Sequence, residues 1–423
     1  MKAGFSHSEI TPAVGTHKVG WLRDIVIDHV LDPLFVRVAV FERGPCQAAL
    51  IQLDTLSIRW STTNEIRRRI EAKYGFPGEA IMVAATHNHA GPAIANIGDV
   101  LRDEIYLEMM INKTVQTFGK AWQKRVPARL GFGRCFEFRV SHNRRTVLRN
   151  GLAVTHAPGF NHPAALCVEG PIDPEVAVLA VRDEQGALLG SIVNFACHPV
   201  HHGGSTAASG GYPAALAAAL KAKGCPETVF LNGACGNISP GNPYLKLSPT
   251  MEEIGATLAE DAWGVIENME FEDAPVVDVA SITVEMPVRK PSAREAAGKS
   301  KGVQRFIDPD IYERHMPEVL ARLRKKPYQP AEVQVIRLGG ACLAAIPAEY
   351  FTEFGLWIKQ KTWPVNTMVV THANGMLGYL PTETAFRRGG YETTLCDSSR
   401  MGPKTGKILA EHAIKLVECL DDY

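Results

Sequence analysis

Short apolar runs recur along this chain, and five of them stop abruptly at residue types that bind metals or carry catalysis. Ile81-Met82-Val83-Ala84-Ala85 leads into Thr86-His87-Asn88-His89, and Ile192-Val193-Asn194-Phe195-Ala196-Cys197 leads into His198-Pro199. Thr228-Val229-Phe230-Leu231 precedes Asn232-Gly233-Ala234-Cys235-Gly236-Asn237-Ile238-Ser239-Pro240, Cys342 to Ile346 precedes Pro347-Ala348-Glu349, and Met368-Val369-Val370 precedes Thr371-His372. Each run has strand length and ends in turn-forming residues. Near-continuous apolar runs mark strands buried on both faces, and open α/β sheets place their sites at the carboxyl ends of such strands.

Helical periodicity fills the intervals between these runs. Thr62 with Glu65 predicts a capping box ahead of Ile66 and Ile70, and Thr250 with Glu253 predicts another ahead of Ile254, Leu258 and Val265. Helices are also expected over 353–361, directly after Glu349, and over 408–420. Strands alternating with helices predict an α/β fold, a mixed β-sheet core flanked by helices. Residues 288–330 depart from the pattern, with many Lys and Arg among few apolar residues. They read either as a solvated helical excursion or as a lid over a site.

Composition narrows the function. Lys+Arg and Asp+Glu each number 45 in 423 residues, so no net field recruits nucleic acid or an anionic membrane. The first ten residues lack the apolar stretch of a signal peptide, and no apolar segment is long enough to span a bilayer. Nine scattered cysteines, mostly within apolar runs, read as reduced thiols of a cytoplasmic protein. P-loop and G-x-G-x-x-G patterns are missing, which removes two common enzyme classes.

The polar residues at the run ends each have two readings. His87 and His89, two apart on extended chain, can face one cation or simply bond the backbone. His198 is better placed than His201 or His202 to join them, because Pro199 fixes the turn. Glu349 is a carboxylate ligand or a helix cap. Asp54 orients a ligand histidine or caps a turn. The glycine-rich loop around Ser239 offers a hydroxyl and several N–H groups, as a nucleophile or oxyanion loop would, though such turns are common. Cys235 is a nucleophile or, more simply, a small packing residue.

In this order, Ala85-Thr86-His87-Asn88-His89-Ala90-Gly91-Pro92, Asn194-Phe195-Ala196-Cys197-His198-Pro199, Gly236-Asn237-Ile238-Ser239-Pro240 and Pro347-Ala348-Glu349 resemble the catalytic domain of the neutral/alkaline non-lysosomal ceramidase family. Ile10-Thr11-Pro12, Asp32-Pro33-Leu34, Asn143-Arg144-Arg145 and Gly170 to Glu175 add to the resemblance, which covers roughly residues 1–395. It implies a single catalytic domain over 1–423 holding one zinc ion. His87, His198, Glu349 and Tyr379 would be the ligands and Ser239 the catalytic serine. His89 would lie beside the metal, while Arg144 and Tyr391 would hold the substrate carbonyl or its tetrahedral intermediate. The family's Gly-Asp-x-Ser-Pro loop carries Asn237 here.

These residues lead to an expected function. Zn2+ takes nitrogen and oxygen ligands and lowers the pKa of a water to roughly 7. A zinc-dependent amidohydrolase cleaving the N-acyl bond of a small, polar molecule is expected, with His89 protonating the leaving amine. A polar amide suits a cytoplasmic chain better than ceramide does. An esterase or lactonase on the same metal, and a non-catalytic binding protein on the same fold, are the alternatives. No nucleic-acid or integral-membrane partner is expected, and a homo-oligomer is compatible with the chain.

Overall fold

The computed structural model describes residues 1–156, 162–243, 246–306 and 309–421. Twelve strands in two sheets form its frame: β1 (Lys2–Glu9), β2 (Phe35–Arg43), β3 (Cys46–Leu53), β4 (Ile81–Ala85), β5 (Val126–Phe136), β6 (Glu175–Asp183), β7 (Leu188–Phe195) and β8 (Thr228–Asn232), then β9 (Val277–Pro287), β10 (Tyr328–Leu338), β11 (Ala341–Ile346) and β12 (Asn366–Thr371). The first sheet runs β8-β7-β6-β5-β1-β2-β3-β4 and the second β9-β10-β11-β12. Pairing is antiparallel except at β3–β4, β7–β8 and β11–β12, so both sheets are mixed, as expected. All five apolar runs lie on strands.

The two sheets stack face to face, which explains why so many runs are apolar throughout. Along β6, Ala177, Leu179 and Val181 pack toward Ile336, Leu343 and Met368 of the second sheet. The alternate residues Val176, Val178 and Ala180 pack outward under helices α3 (Gly211–Lys223) and α4 (Met251–Glu267). Helices α1 (Trp60–Tyr74) and α2 (Glu104–Gln123) cover the β2–β4 half of the same face. Helices α5 (Pro309–Lys325), α6 (Thr352–Lys361) and α7 (Thr405–Asp421) cover the far side of the second sheet. The result has four layers, helix, sheet, sheet, helix.

One junction brings the site together. Strands β1 and β5 share only the pairs Lys2↔Pro127 and Ala3↔Val126, so the first sheet folds there and its two edges approach each other. Side chains complete the seam: Gln52 Oε1 accepts from Phe230 N at 2.8 Å, and Asn232 Nδ2 donates to Thr86 O at 3.0 Å. Strand ends distant in the sheet order, β4 and β7, are thereby neighbours. The turn after β12 then locks onto β4, where Asn374 Oδ1 accepts from Val83 N and Asn374 N donates to Val83 O.

Two local expectations need correction. Thr250 and Glu253 do form a reciprocal capping box on α4, but Thr62 and Glu65 do not form one on α1. That helix starts earlier, at Trp60 with Arg59 as its cap residue; Thr62 is buried in its first turn and Glu65 pairs with Arg68 and Arg69. Asp54 does not orient a histidine. Its buried carboxylate accepts from Phe35 N, Arg37 Nη1 and Gln52 Nε2, tying β2 to β3.

Candidate metal centre

His87 follows β4 in a left-handed backbone conformation (φ 67°), which favours glycine and is held here by the surrounding ladder. His89 lies two residues on, and His198 follows β7. Each ring is fixed by its Nδ1. These atoms reach Leu56 O at 2.8 Å (His87), Gly20 O at 2.7 Å (His89) and Cys235 O at 2.6 Å (His198). A carbonyl only accepts, so each Nδ1 carries a proton, and in a neutral ring the Nε2 then presents a lone pair.

Those lone pairs face one another. His87 Nε2 is 3.0 Å from His198 Nε2 and 3.3 Å from His89 Nε2. Glu349 Oε2 lies 3.5 Å from His87 Nε2 and 3.7 Å from His198 Nε2. Three lone pairs and a carboxylate converging in a buried space repel one another unless a cation sits among them. The nitrogen and oxygen donors fit a zinc-type ion, and the backbone bonds at Nδ1 are the usual orienting contacts of metal-binding histidines. Burial pushes the His198 ring down to about 3, with Arg144 and His87 adding to the effect. Burial, then His87 and His198, holds the His89 ring well below the ordinary range. The neutral rings this implies are the form that binds metal.

Glu349 is not a helix cap. It sits in the two-residue strand Glu349–Tyr350, which pairs in parallel with Tyr379–Leu380, and α6 is capped by Phe351. That pairing sets Tyr379 beside Glu349, and burial followed by the Glu349 charge raises the phenol well above its usual range. Arg144 Nη2 donates to Tyr379 Oη at 3.1 Å and to Gly236 O at 2.8 Å, while its Nε donates to Glu392 at 2.9 Å. Tyr391 packs edge-on against Tyr379, with centroids 5.5 Å apart.

A cavity of about 140 Å³ opens onto this centre. His87, His89, Glu349, Arg144, Tyr379 and Tyr391 all line it, beside the apolar Trp21, Leu56 and Ile97. The basic segment contributes a wall of the site. Phe306, Ile311 and Tyr312 line the cavity, while α5 turns its charged face outward and pairs Arg314 and His315 with Asp99.

Ser239 stands apart from the other expected groups. It is absent from the cavity lining; its hydroxyl is buried and has no hydrogen-bond partner among the described residues. Its short strand pairs with Ser141–Asn143, and Asn237 O accepts from Arg144 N. The loop therefore positions Arg144. Asn237 Nδ2 donates to Glu353 and Asn237 Oδ1 accepts from Thr352 N; an ionised aspartate could accept in the same way but has no proton to donate to that glutamate. Cys235 is fully buried, and burial drives its thiol far up.

Two functional residues escaped the reading of the sequence. His372 stacks on His87 from behind, and Glu392 anchors Arg144 and Arg145. His372 did end one of the five apolar runs, but Glu392 had no local signal.

No family model matches the chain. A neutral ceramidase of Pseudomonas aeruginosa is 30% identical over 179 residues, 40% of this chain and 24% of that protein. The matched segment thus spans about a quarter of that relative's length. The crystal structure of a neutral ceramidase from Pseudomonas aeruginosa superposes with a TM-score of 0.76 at 18% identity, covering 100% of this chain and 74% of the other. A ceramidase complexed with C2 superposes with a TM-score of 0.77 at 18% identity, over 100% and 75%. The chain therefore has a neutral ceramidase-like α/β fold along its whole length.

Proposed function

We propose that this chain is a zinc-dependent amidohydrolase that cleaves the N-acyl bond of a small, polar molecule with water. The observation that carries this reading is the convergence of three Nε2 atoms and Glu349 on one cavity. The similarity to neutral ceramidases supports an amide as the bond.

His87, His198 and Glu349 would hold the ion, with Tyr379 beside Glu349 as a fourth ligand. Zinc, when bound, supplies Lewis-acid polarisation of the carbonyl and lowers the pKa of a water to roughly 7. His89 is the one ring of the three that is partly open to the cavity, so its Nε2 can take a proton from water and return it to the leaving amine. Arg144 is held by Glu392 and the Gly236 carbonyl, which preorganises its charge toward the oxyanion that develops in the transition state. Tyr391 lines the same wall and supplies a phenol O–H there. Ser239 has no assigned chemical step, because it does not line the cavity.

The cavity volume, about 140 Å³, supports a small acyl group over a long chain. Among the described residues, no helix is long and apolar enough to cross a membrane. A cytoplasmic setting belongs to the same proposal, and the nine free cysteines support it. Metal analysis of the purified chain beside His198→Ala, followed by hydrolysis of an N-acetylated substrate panel, tests the reading. About one zinc per chain, lost in the variant, is expected; folded protein that takes up no zinc when it is supplied would overturn it.

A further inference from the structure

The crease of the first sheet holds a second cavity, of about 390 Å³, and none of its lining residues lines the cavity of the metal centre. Residues of β1 and β2 line it on one side, the start of β8 and helix α3 on the other. Arg37 is its unusual element. This residue is in register with His7 of β1 and with Gln52 of β3, whose Oε1 accepts from Phe230 N, so the cavity lies beside the seam that joins the two sheet edges. Arg37 is only 8% exposed; its Nη1 donates to Asp54 at 3.1 Å and its guanidinium lies 4.6 Å from the centre of the Phe35 ring. Its Nε and Nη2 have no protein partner among the described residues, and because Arg37 lines the cavity, those donors are left to whatever occupies it.

The remaining lining separates charge from apolar surface. Lys221, in the last turn of α3, adds a second cation with no ion-pair partner among the described residues. Three carboxylates also line the cavity, but two are already engaged: Asp32 accepts from Gly210 N and Ser209 Oγ, and Glu227 pairs with His7 at 2.8 Å. The third, Glu252, lies in the first turn of α4, where the helix dipole offsets its charge. Asp32 and Glu252 belong to the Gly211 end of α3, as the contacts of Ser209 with Asp32 and Met251 show. Ten residues, about 15 Å of helix, separate that end from Lys221. Ala214, Ala217 and Ala218 of α3, with Pro33 and Phe35, leave the lining between these ends small and apolar.

We infer that this second cavity binds a small amphiphilic carboxylate, with its carboxylate on Arg37 and Lys221 and its apolar body along the alanine face of α3. Two adjacent guanidinium nitrogens match the two oxygens of a carboxylate, and an apolar pocket with a few placed polar groups is the usual form of a small-molecule site. A ligand held in this way touches β2 on one side of the crease and α3 on the other. It therefore ties together the two sheet edges whose approach brings His87 and His198 into contact.

Calorimetric titration of sodium hexanoate into the whole chain tests the site without requiring turnover. Saturable binding is expected in the parent and equally in His198→Ala, which separates this cavity from the metal centre and from the hydrolase reading. Arg37→Lys keeps a counter-charge beside the buried Asp54 but removes the fork, and should weaken binding about tenfold. Lys221→Gln, at an exposed position, should weaken it about threefold. Ala218→Phe should abolish it by filling the cavity, whereas Lys223→Gln, on the same helix but outside the lining, should bind hexanoate as the parent does. Absence of hexanoate binding at millimolar concentration, loss of binding in His198→Ala, or unchanged binding in both Arg37→Lys and Lys221→Gln would overturn the inference. Binding of 1-hexanol as tight as that of hexanoate would overturn it too, since the cavity would then select an apolar body and no carboxylate.

Discussion

The imidazole rings of His87 and His372 lie parallel, 3.9 Å apart with 7° between their planes. His372 follows β12 with φ 55°, is fully buried, and has Cys235 Sγ 3.6 Å from its Nε2. Its Nδ1 has no partner among the described residues, so the ring acts on the centre through its face. We assign it a positioning role: it keeps His87 from rotating away from His198. His372→Ala should weaken zinc binding by on the order of tenfold or more, and His372→Phe should restore most of it, since contacts behind a ligand commonly carry such effects. Competition with a chromophoric chelator measures this, and equal affinity in all three proteins would refute the role.

His89 is the sharpest test within the cluster, because its ring competes with Tyr379 for a place at the ion. Catalytic zinc sites commonly use three protein ligands and keep a position for water. The proposed set of His87, His198 and Glu349, with Tyr379 as a fourth, reaches that number without His89, which alone of the rings is partly open to the cavity. His89→Ala should keep its zinc while losing roughly 10²–10⁴-fold in kcat, the range for a lost proton-transfer group. Zinc loss as complete as in His198→Ala would make His89 a ligand instead.

Strands were legible in the sequence because burial on both faces makes them apolar throughout, and the residue ending each run was readable for the same reason. The convergence of β4 and β7 was not legible. It depends on the two-pair junction between β1 and β5, a long-range geometry with no local signature. The helix cap predicted at Thr62 failed because the chain enters α1 at Arg59, where tertiary contacts override local capping preference. The 288–330 segment shows a basic surface in its sequence, while the three residues that matter to the cavity, Phe306, Ile311 and Tyr312, are too few to stand out.

Those three residues lead to a prediction about size selection. Phe306 packs against Tyr391 with centroids 5.0 Å apart, so the wall of the cavity rests on a residue proposed to touch the substrate. Phe306→Ala should enlarge the cavity and favour longer acyl groups. Relative to N-acetyl, kcat/KM for N-butyryl and N-hexanoyl substrates should rise on the order of tenfold, the scale on which apolar pockets discriminate methylenes. A chain-length profile unchanged from the parent would remove Phe306 from substrate selection. Matched esters in the same assay would show whether the amide is the preferred bond.

Glu392 links the fold to the site and gives the chain a predictable acid response. Burial alone would raise its carboxyl, but Arg145, Arg144 and the Thr155 hydroxyl hold it at about 2 against an ordinary value of 4.5. The unfolded chain therefore takes up this proton before the folded one does. The stabilisation is complete above pH 4.5 and is lost as pH falls from there toward 2. Glu392→Gln leaves the buried Arg144 without a carboxylate and Arg145 with Glu169 alone, and should cost about 3–5 kcal/mol at neutral pH. It should also flatten the acid limb of stability measured by urea unfolding, because the titrating group is gone. Arg144 loses the negative charge of its partner at Nε in the same variant, so kcat should fall even where the protein remains folded. Neutral-pH stability and an acid limb both matching the parent would show that the Arg144–Glu392–Arg145 cluster contributes neither to the fold nor to its acid response.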